Sequence, residues 1–260
     1  MKQETKSCPP TSGARSSLDS LTRHIGAFRN FLGHSCAFTL AEVLITLGII
    51  GVVASMTMPS LIQDKQNKEL EAKFKKVYSV MQQALVKMSF DEGQAVTYEN
   101  YKSPIAFLNI YRTYFIQYIP CTKGRCDGYS VSESGQNISK IYKTFNGKSS
   151  IDSSYFDDTN TIIADGIEIL TNGDYRSYGI NLTVDINGHK AKPNKWGYDL
   201  FTFQMVNGKL LPMGADNTNY YNQPLTPDLY CNKDISNSRN RLTCSSKALS
   251  EANYFKNLPK

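Results

Sequence analysis

Glu42 is the strongest candidate for a functional residue, because it is a carboxylate near the start of an otherwise uncharged apolar run. Residues 38–58 read FTLAEVLITLGIIGVVASMTM, and Glu42 is their only charged residue. At about 1.5 Å of rise per residue, this run would form a helix of roughly 30 Å, the thickness of the hydrocarbon core of a bilayer. A charge in such a segment costs free energy and calls for a specific partner. We therefore predict that Glu42 is a functional residue in a membrane-spanning helix.

A second group of polar residues could bind a metal ion. Segment 184–201 reads VDINGHKAKPNKWGYDLF, in which Asp185, Asn187, Asn194 and Asp199 offer hard oxygen ligands, together with the carbonyl near His189. Calcium takes six to eight such oxygens. The spacing differs from an EF-hand, because the glycine of the turn comes two positions early and the twelfth position is not Glu. Asp-x-Asn-Gly also favours a plain turn, so calcium and a turn without an ion both stay open.

The sequence offers little support for an enzyme. His189 is the only histidine after residue 37, and neither G-x-S-x-G nor H-E-x-x-H occurs. Residues 146–149 read NGKS and resemble the end of a phosphate loop, but Tyr142 stands where the first Gly is needed. We therefore expect no catalytic activity and no required cofactor, with calcium as a structural candidate only.

The residues before the apolar run are polar and basic. Residues 1–37 contain five basic and two acidic residues, a net charge of +3 out of +6 for the whole chain. Basic residues before an apolar span hold that end in the cytoplasm, so the bulk of the chain is predicted to lie outside the membrane. The remaining charge of +3 (6 − 3) is scattered and gives no indication of nucleic-acid binding.

These features together resemble the type IV pilin and pseudopilin family over about residues 29 to 62. The features are a basic leader, a small residue, Phe38-Thr39-Leu40, an acid at the fifth position and an apolar run. The resemblance implies that prepilin peptidase, a membrane aspartyl peptidase, cuts between Ala37 and Phe38, and that Phe38 is then N-methylated. Ala37 stands where the family usually has Gly, which predicts slower cleavage. Glu42 would act in assembly by pairing with the ammonium of Phe38 on a neighbouring subunit.

The resemblance also implies a function, a location and a set of partners. The chain would be a structural subunit of a type IV pilus-like or secretion pseudopilus filament, polymerised through its N-terminal helix. It would cross the inner (cytoplasmic) membrane once, contact lipid before assembly, and then join copies of itself and other pilin-like subunits outside. The alternative is a single-pass, membrane-anchored extracellular binding module that does not polymerise. Two other interpretations of the apolar run are a signal peptide cut near residues 52–54 and an ordinary signal anchor.

Four of the six cysteines would remain after cleavage: Cys121, Cys126, Cys231 and Cys244. An even number outside the membrane favours disulfides, and the short separations favour Cys121 with Cys126 and Cys231 with Cys244 among three connectivities. A zinc site is the alternative, but the spacings lack the tight pairs and histidines of such sites.

The predicted organisation is a leader at 1–37, an assembly helix at 38–58, its amphipathic continuation at 59–92, and a globular domain at 93–260. Beyond the apolar run, hydrophobic residues recur every three or four positions, which is typical of an amphipathic helix. They are Leu70, Phe74, Val77, Met81, Leu85 and Met88. One helix from about 38 to 90 is predicted, weakened at Gly48, Gly51 and Pro59, and ended by Asp91-Glu92-Gly93.

The globular part is predicted to be α+β, with the long helix packed on a small antiparallel sheet. Strand patterns flank Asp165-Gly166 and Asn207-Gly208, and another lies at 179–186, which together predict a meander. The apolar stretch at 105–119 could be a helix or a strand. Residues 214–260 predict a loop-rich, disulfide-stapled C-terminal region with one short helix near 246–253.

Overall fold

The computed structural model describes most of the 260-residue chain. The described residues are 39–120, 141–149, 151, 159–172, 179–220, 223–235 and 242–259. The chain divides into two compact units, Met1–Gly51 and Val52–Lys260. The predicted processing residues Ala37 and Phe38 and the predicted pair Cys121 and Cys126 lie outside the described residues.

The first helix, α1, spans Leu40–Asp91, which confirms that the apolar and amphipathic patterns belong to one helix. It continues through Gly48, Gly51 and Pro59. The predicted end is also confirmed, since Gly93 adopts a φ of 65° and its N–H donates to the carbonyl of Phe90 at 3.3 Å. That left-handed conformation is the common way for glycine to follow a helix.

In the first unit, the described residues form the start of α1, and their apolar side chains are exposed. Leu40, Ile45 and Ile50 each leave more than half of their surface uncovered, at 78%, 62% and 63%. The whole of α1, of which this is the start, is long and apolar enough to cross a membrane, and none of its most apolar stretch is buried in the protein. Contiguous exposed apolar surface of this kind is typical of a membrane span, a signal sequence or a protein–protein contact.

In the second unit, the amphipathic part of α1 supplies one wall of the core. All six residues of the predicted stripe are buried. Phe74 lies at the centre, with ring centroids 4.4 Å from Phe201 and 5.6 Å from Phe255. The stripe therefore packs against the sheet, as its helical spacing predicts.

The other wall is a six-stranded antiparallel sheet in which every strand pairs with its neighbour in the sequence. The predicted meander is thus confirmed, and one further strand joins it before residue 121. The strands are β1 (Tyr118–Pro120), β2 (Thr159–Ile163), β3 (Glu168–Asn172), β4 (Ile180–Asp185), β5 (Leu200–Val206) and β6 (Lys209–Pro212). The ambiguous stretch at 105–119 contains both a helix, α2 (Pro104–Tyr111), and the start of β1.

The sheet is covered on its second face as well, which its alternating pattern does not predict. All six residues of β4 are buried. The second face carries buried threonines, of which Thr183 and Thr202 share a hydrogen bond at 3.0 Å across β4 and β5. Trp196 lies over them and its indole N–H donates to the Thr202 hydroxyl at 3.3 Å. Loop residues therefore form a second, smaller core on this face.

The C-terminal region is loop-rich and contains a disulfide, as predicted. Two short helices, α3 (Pro227–Tyr230) and α4 (Cys244–Ser250), follow a two-stranded ribbon of β7 (Asn219–Tyr220) and β8 (Gln223–Pro224). Cys231 and Cys244 are bonded, with their Cα atoms 4.9 Å apart. This bond connects the end of α3 to the start of α4.

Candidate functional site

Glu42 lies in the first turn of α1 and forms a reciprocal hydrogen-bonded cap with Thr39. The N–H and the hydroxyl of Thr39 donate to Glu42 Oε2 at 2.8 and 2.9 Å, and the N–H of Glu42 donates to Thr39 Oγ1 at 3.2 Å. This arrangement is a capping box, which satisfies N–H groups that have no partner within the helix. This role was not among those predicted for Glu42, although Thr-x-x-Glu before an apolar run is the known signature of a capping box.

The predicted calcium ligands are brought together at one end of the sheet. Asp185 ends β4 and is fully buried. Its Oδ1 accepts the N–H groups of Asn187 and Gly188 at 3.1 and 2.8 Å, which is the Asx-turn geometry expected from Asp-x-Asn-Gly. Its Oδ2 accepts the Tyr142 hydroxyl at 2.7 Å. Tyr142 was noted in the sequence only as a fault in a phosphate loop.

Asp199 closes the same loop from its other end and is also fully buried. Its two oxygens each accept one N–H at 2.7 Å, Oδ2 from Asn194 and Oδ1 from Lys195. The backbone N–H of Ile186 also donates to the carbonyl of Asp199 at 2.9 Å. Hydrogen bonds therefore join Asp185 to Asn187 and Asp199 to Asn194, and the bond from Ile186 to Asp199 closes the segment between β4 and β5 into a loop.

Burial changes the titration of both carboxyls. Burial raises the pKa of Asp185 well above its usual range, and the neighbouring Asp199 carboxylate raises it further, whereas the Tyr142 hydroxyl acts in the opposite direction. Burial likewise raises the pKa of Asp199 to about 6, against the lowering effect of the N–H groups of Lys195 and Asn194. Two buried carboxyls that disfavour each other's charge are stabilised by a proton or a cation.

Next to this pair lies a carboxylate–histidine contact that the sequence analysis did not predict. Glu168 pairs with Asp185 across β3 and β4 and is 1% exposed. Its Oε2 lies 2.9 Å from His189 Nδ1, and its Oε1 accepts the Asn160 amide at 2.5 Å. The signal for this contact is a Glu inside the apolar strand IEIL, since a buried acid needs a partner.

Two glycines permit the close packing around this loop. Gly188 has a φ of 77°, and a Cβ there would lie 2.5 Å from the carbonyl oxygen of Gly166. Gly197 has a φ of 81°, and a Cβ there would lie 2.8 to 3.0 Å from Phe145, Tyr254 and the sulfur of Cys244. The disulfide is thus in direct contact with the loop that ends at Asp199.

The loop between Asp185 and Asp199 has some of the features of a calcium site. The side-chain oxygens of Asn187 and Asn194 are buried and have no hydrogen-bond partner. The nitrogen of each amide, by contrast, donates to a carbonyl of the loop. Such oxygens are suitable ligands for a hard cation. Among the described residues, however, no three His, Cys, Asp or Glu side chains are grouped as a metal site.

The fold is that of an α+β protein with one long N-terminal helix, apolar enough to span a membrane, and a buried polar cluster at one end of its sheet. A family of unknown function, DUF6613, matches residues 60–256, and the chain belongs to that family. The matched region begins beyond the apolar part of α1 and contains the sheet, the loop and the disulfide. No curated protein and no solved structure matches the chain.

Proposed function

We propose that this chain is a subunit of a type IV pilin-like or pseudopilus filament, held in the cytoplasmic membrane by the start of α1 until it assembles. The observation that carries the proposal is the contrast between the two parts of α1. Its apolar start has none of its most apolar window buried, while the stripe that begins at Leu70 is buried against the sheet. The same helix therefore offers an exposed surface to an external apolar partner and packs against the sheet of the globular domain.

The exposed part needs two successive environments in this proposal. Before assembly, the hydrocarbon core of the bilayer covers the apolar start of α1, so its side chains are not exposed to water. In a filament, the helices of neighbouring subunits would replace the lipid. Helix contacts in an apolar medium gain little from hydrophobic burial, so close packing and interhelical polar or charged contacts set their register.

Glu42 is suited to set that register. Both hydrogen bonds that its carboxylate accepts end on Oε2, so within the described residues Oε1 is available to a neighbouring subunit. The attraction between two charges 4 Å apart is about 1 kcal/mol in water and about 4 kcal/mol at the effective permittivity near a protein surface. Pairing with the N-terminal ammonium of a processed Phe38 would therefore be favoured where water is excluded.

The N-terminal peptide of the full chain isolated from membranes tests the proposal. Mass spectrometry is expected to find Phe38 as the first residue with one added methyl group, and electron microscopy to find filaments when the assembly machinery is present. A chain that still begins at Met1, or that begins near Ser55, would refute the pilin-like role. A processed chain that remains monomeric in the membrane would instead support the anchored binding module.

We also propose that the loop between Asp185 and Asp199 binds calcium as a structural ion. Asp185, Asn187, Asn194 and Asp199 would hold it, and the two unpartnered amide oxygens support this assignment. The ion would supply positive charge to a buried carboxylate pair that now depends on N–H donors. Its role would be to stabilise the end of the sheet and the adjoining loop.

A further inference from the structure

A groove lies beside the amphipathic part of α1, close to the end of the apolar segment. It has a volume of about 390 Å³ and lies between α1 and the loop that precedes β5. Its walls include Glu69 and Lys73 of α1, Asn187, and the lysines Lys192 and Lys195. It is distinct from the carboxylate pair, whose side chains point into the protein.

The charge of the groove is positive. Lys73 is 3.4 Å from Glu69, so these two charges largely offset each other. Lys192 and Lys195 make no ion pair with a carboxylate among the described residues. The ammonium of Lys195 lies 5.1 Å from the centroid of the Tyr198 ring, which holds it in place without neutralising it. Within the part of the chain that the structure describes, the groove therefore presents two cations without a carboxylate partner.

The two lysines are fixed by the loop rather than displayed on a free tail. The amide of Asn187 donates to the carbonyl of Lys192 at 3.1 Å. The backbone N–H of Lys195 donates to buried Asp199, and its carbonyl accepts the N–H of Tyr198 at 3.0 Å. Two lysines on a backbone held in this way, beside a concave surface, suit a compact anion better than a diffuse one.

The position along α1 identifies the source of the anion. The groove begins at Gln63, directly after the exposed apolar residues Leu61 and Ile62. From Gln63 to Lys73 the helix rises about 15 Å. The headgroup layer of a bilayer is roughly 5 to 8 Å thick on each side, and lysine side chains extend along apolar surfaces toward charged groups. When Ile62 lies at the edge of the hydrocarbon, the lower part of the groove lies among lipid phosphates.

We propose that this groove binds the phosphate-bearing headgroup of an anionic phospholipid, with Lys192 and Lys195 as the phosphate ligands. The proposal rests on the membrane anchoring in the proposed function, but not on filament assembly. Bound lipid would hold the globular domain against the membrane surface before the subunit leaves it.

Native mass spectrometry of the full chain in detergent tests the proposal. The probes are short-chain phosphatidylglycerol, short-chain phosphatidylcholine and inorganic phosphate. We expect phosphatidylglycerol to be retained at least tenfold more strongly than phosphatidylcholine. Equal retention of the two lipids would overturn the proposal. Inorganic phosphate that displaces phosphatidylglycerol at an equal concentration would overturn the lipid assignment, because the site would then recognise only the free anion.

Matched variants separate the groove from general surface charge. Lys192→Gln with Lys195→Gln is expected to weaken retention of phosphatidylglycerol by roughly tenfold or more, since each lysine near an anionic surface is worth about fivefold. Lys192→Arg with Lys195→Arg should retain it. Lys65→Gln with Lys68→Gln removes two exposed charges at a similar height on α1 but outside the groove, and should have a smaller effect. An equal loss in this control pair would refute a site in the groove.

Two results distinguish this inference from the proposed function. Filaments that assemble normally without selective lipid retention would reject the groove alone. Selective retention in a chain that never forms filaments would reject the pilin-like role and leave the groove in place.

Discussion

Glu42 and Thr39 cap the start of α1 reciprocally, each accepting a hydrogen bond from the other at 2.8 to 3.2 Å. Glu42 therefore has two separable properties, an oxygen that caps the helix and a negative charge. The cap needs only an acceptor, because Gln serves as well as Glu at this position of a capping box. The proposed assembly contact needs the charge.

Glu42→Gln is accordingly expected to leave the helix and membrane insertion intact while filament formation is lost or strongly reduced. Removing the charge should favour insertion by up to about 3 kcal/mol, less near the end of the segment. Glu42→Leu should lose both the cap and assembly. The measurement is filament yield by electron microscopy, set against the amount of chain in the membrane. Normal filaments from Glu42→Gln would show that Glu42 acts only as a cap.

The disulfide between Cys231 and Cys244 is expected to stabilise the C-terminal region. Replacing both cysteines with Ala should lower the free energy of unfolding by about 3 kcal/mol in the chain-entropy model, because the bond closes a short loop. Limited proteolysis should then cut this region sooner. The same replacement at Cys121 and Cys126 provides the comparison. Free alkylation of Cys231 and Cys244 in the exported, unreduced chain would contradict the prediction.

Stability should fall as pH rises through the titration of the carboxylate pair. The pKa of Asp199 is about 6 in the folded chain against an ordinary value of 3.8, so the folded state binds the proton more tightly. The resulting stabilisation, up to about 3 kcal/mol, is fully present below pH 3.8 and is lost as pH rises through about 6. Thermal melting from pH 4 to 7 measures it.

Asp185→Asn is the matched variant for this pH test. Its amide can retain both accepted N–H bonds at Oδ1 and donate to Tyr142, while the charge next to Asp199 is removed. The fall in melting temperature with pH should therefore be smaller than in the unmodified chain. Subtraction of the two curves removes groups such as Asp165, whose pKa is lowered by Lys76. Parallel curves would show that the pair does not control this dependence.

Calcium should raise the melting temperature of the full chain, and a chelator should lower it. Binding to the folded state alone stabilises by about 2.7 kcal/mol at a hundredfold excess over Kd. The rise should be larger at pH 7 than at pH 5, because protons and calcium compete for the carboxylates. Asp199→Ala should abolish the response, and magnesium should give a weaker one. Identical melting with calcium and with chelator would mean that the loop is a turn without an ion.

Local sequence patterns predicted most of the helices and strands, but they predicted little of the packing of loop residues over the sheet. The spacing from Leu70 to Met88 predicted the buried face of α1, and the turn residues predicted the hairpins around Gly166 and Gly208. Those patterns depend on neighbours in the sequence, which is why they suffice. The burial of Thr183 and Thr202 depends on Trp196 and other loop residues, whose positions no strand period encodes.

The loop between Asp185 and Asp199 was also predicted only in part, because local patterns relate residues that are close in the sequence. Asp185 and Asn187 belong to one turn, and Asp199 follows it closely, so their proximity could be inferred from spacing. Glu168 reaches His189 only because β3 pairs with β4 in a register that places Glu168 opposite Asp185. Such a contact depends on the pairing register of two strands, which no pattern within a single strand encodes.

The aromatic packing of Phe74 against Phe201 also determines how the domain would carry mechanical load. A pull along the second part of α1 would reach β5, which is hydrogen-bonded on one side to β4 and on the other to β6. Force delivered to an inner strand is shared by two ladders, whereas force on an edge strand would open one ladder bond by bond. A pull on α1 that reaches the sheet through this contact would therefore load two ladders at once instead of opening one of them from its edge.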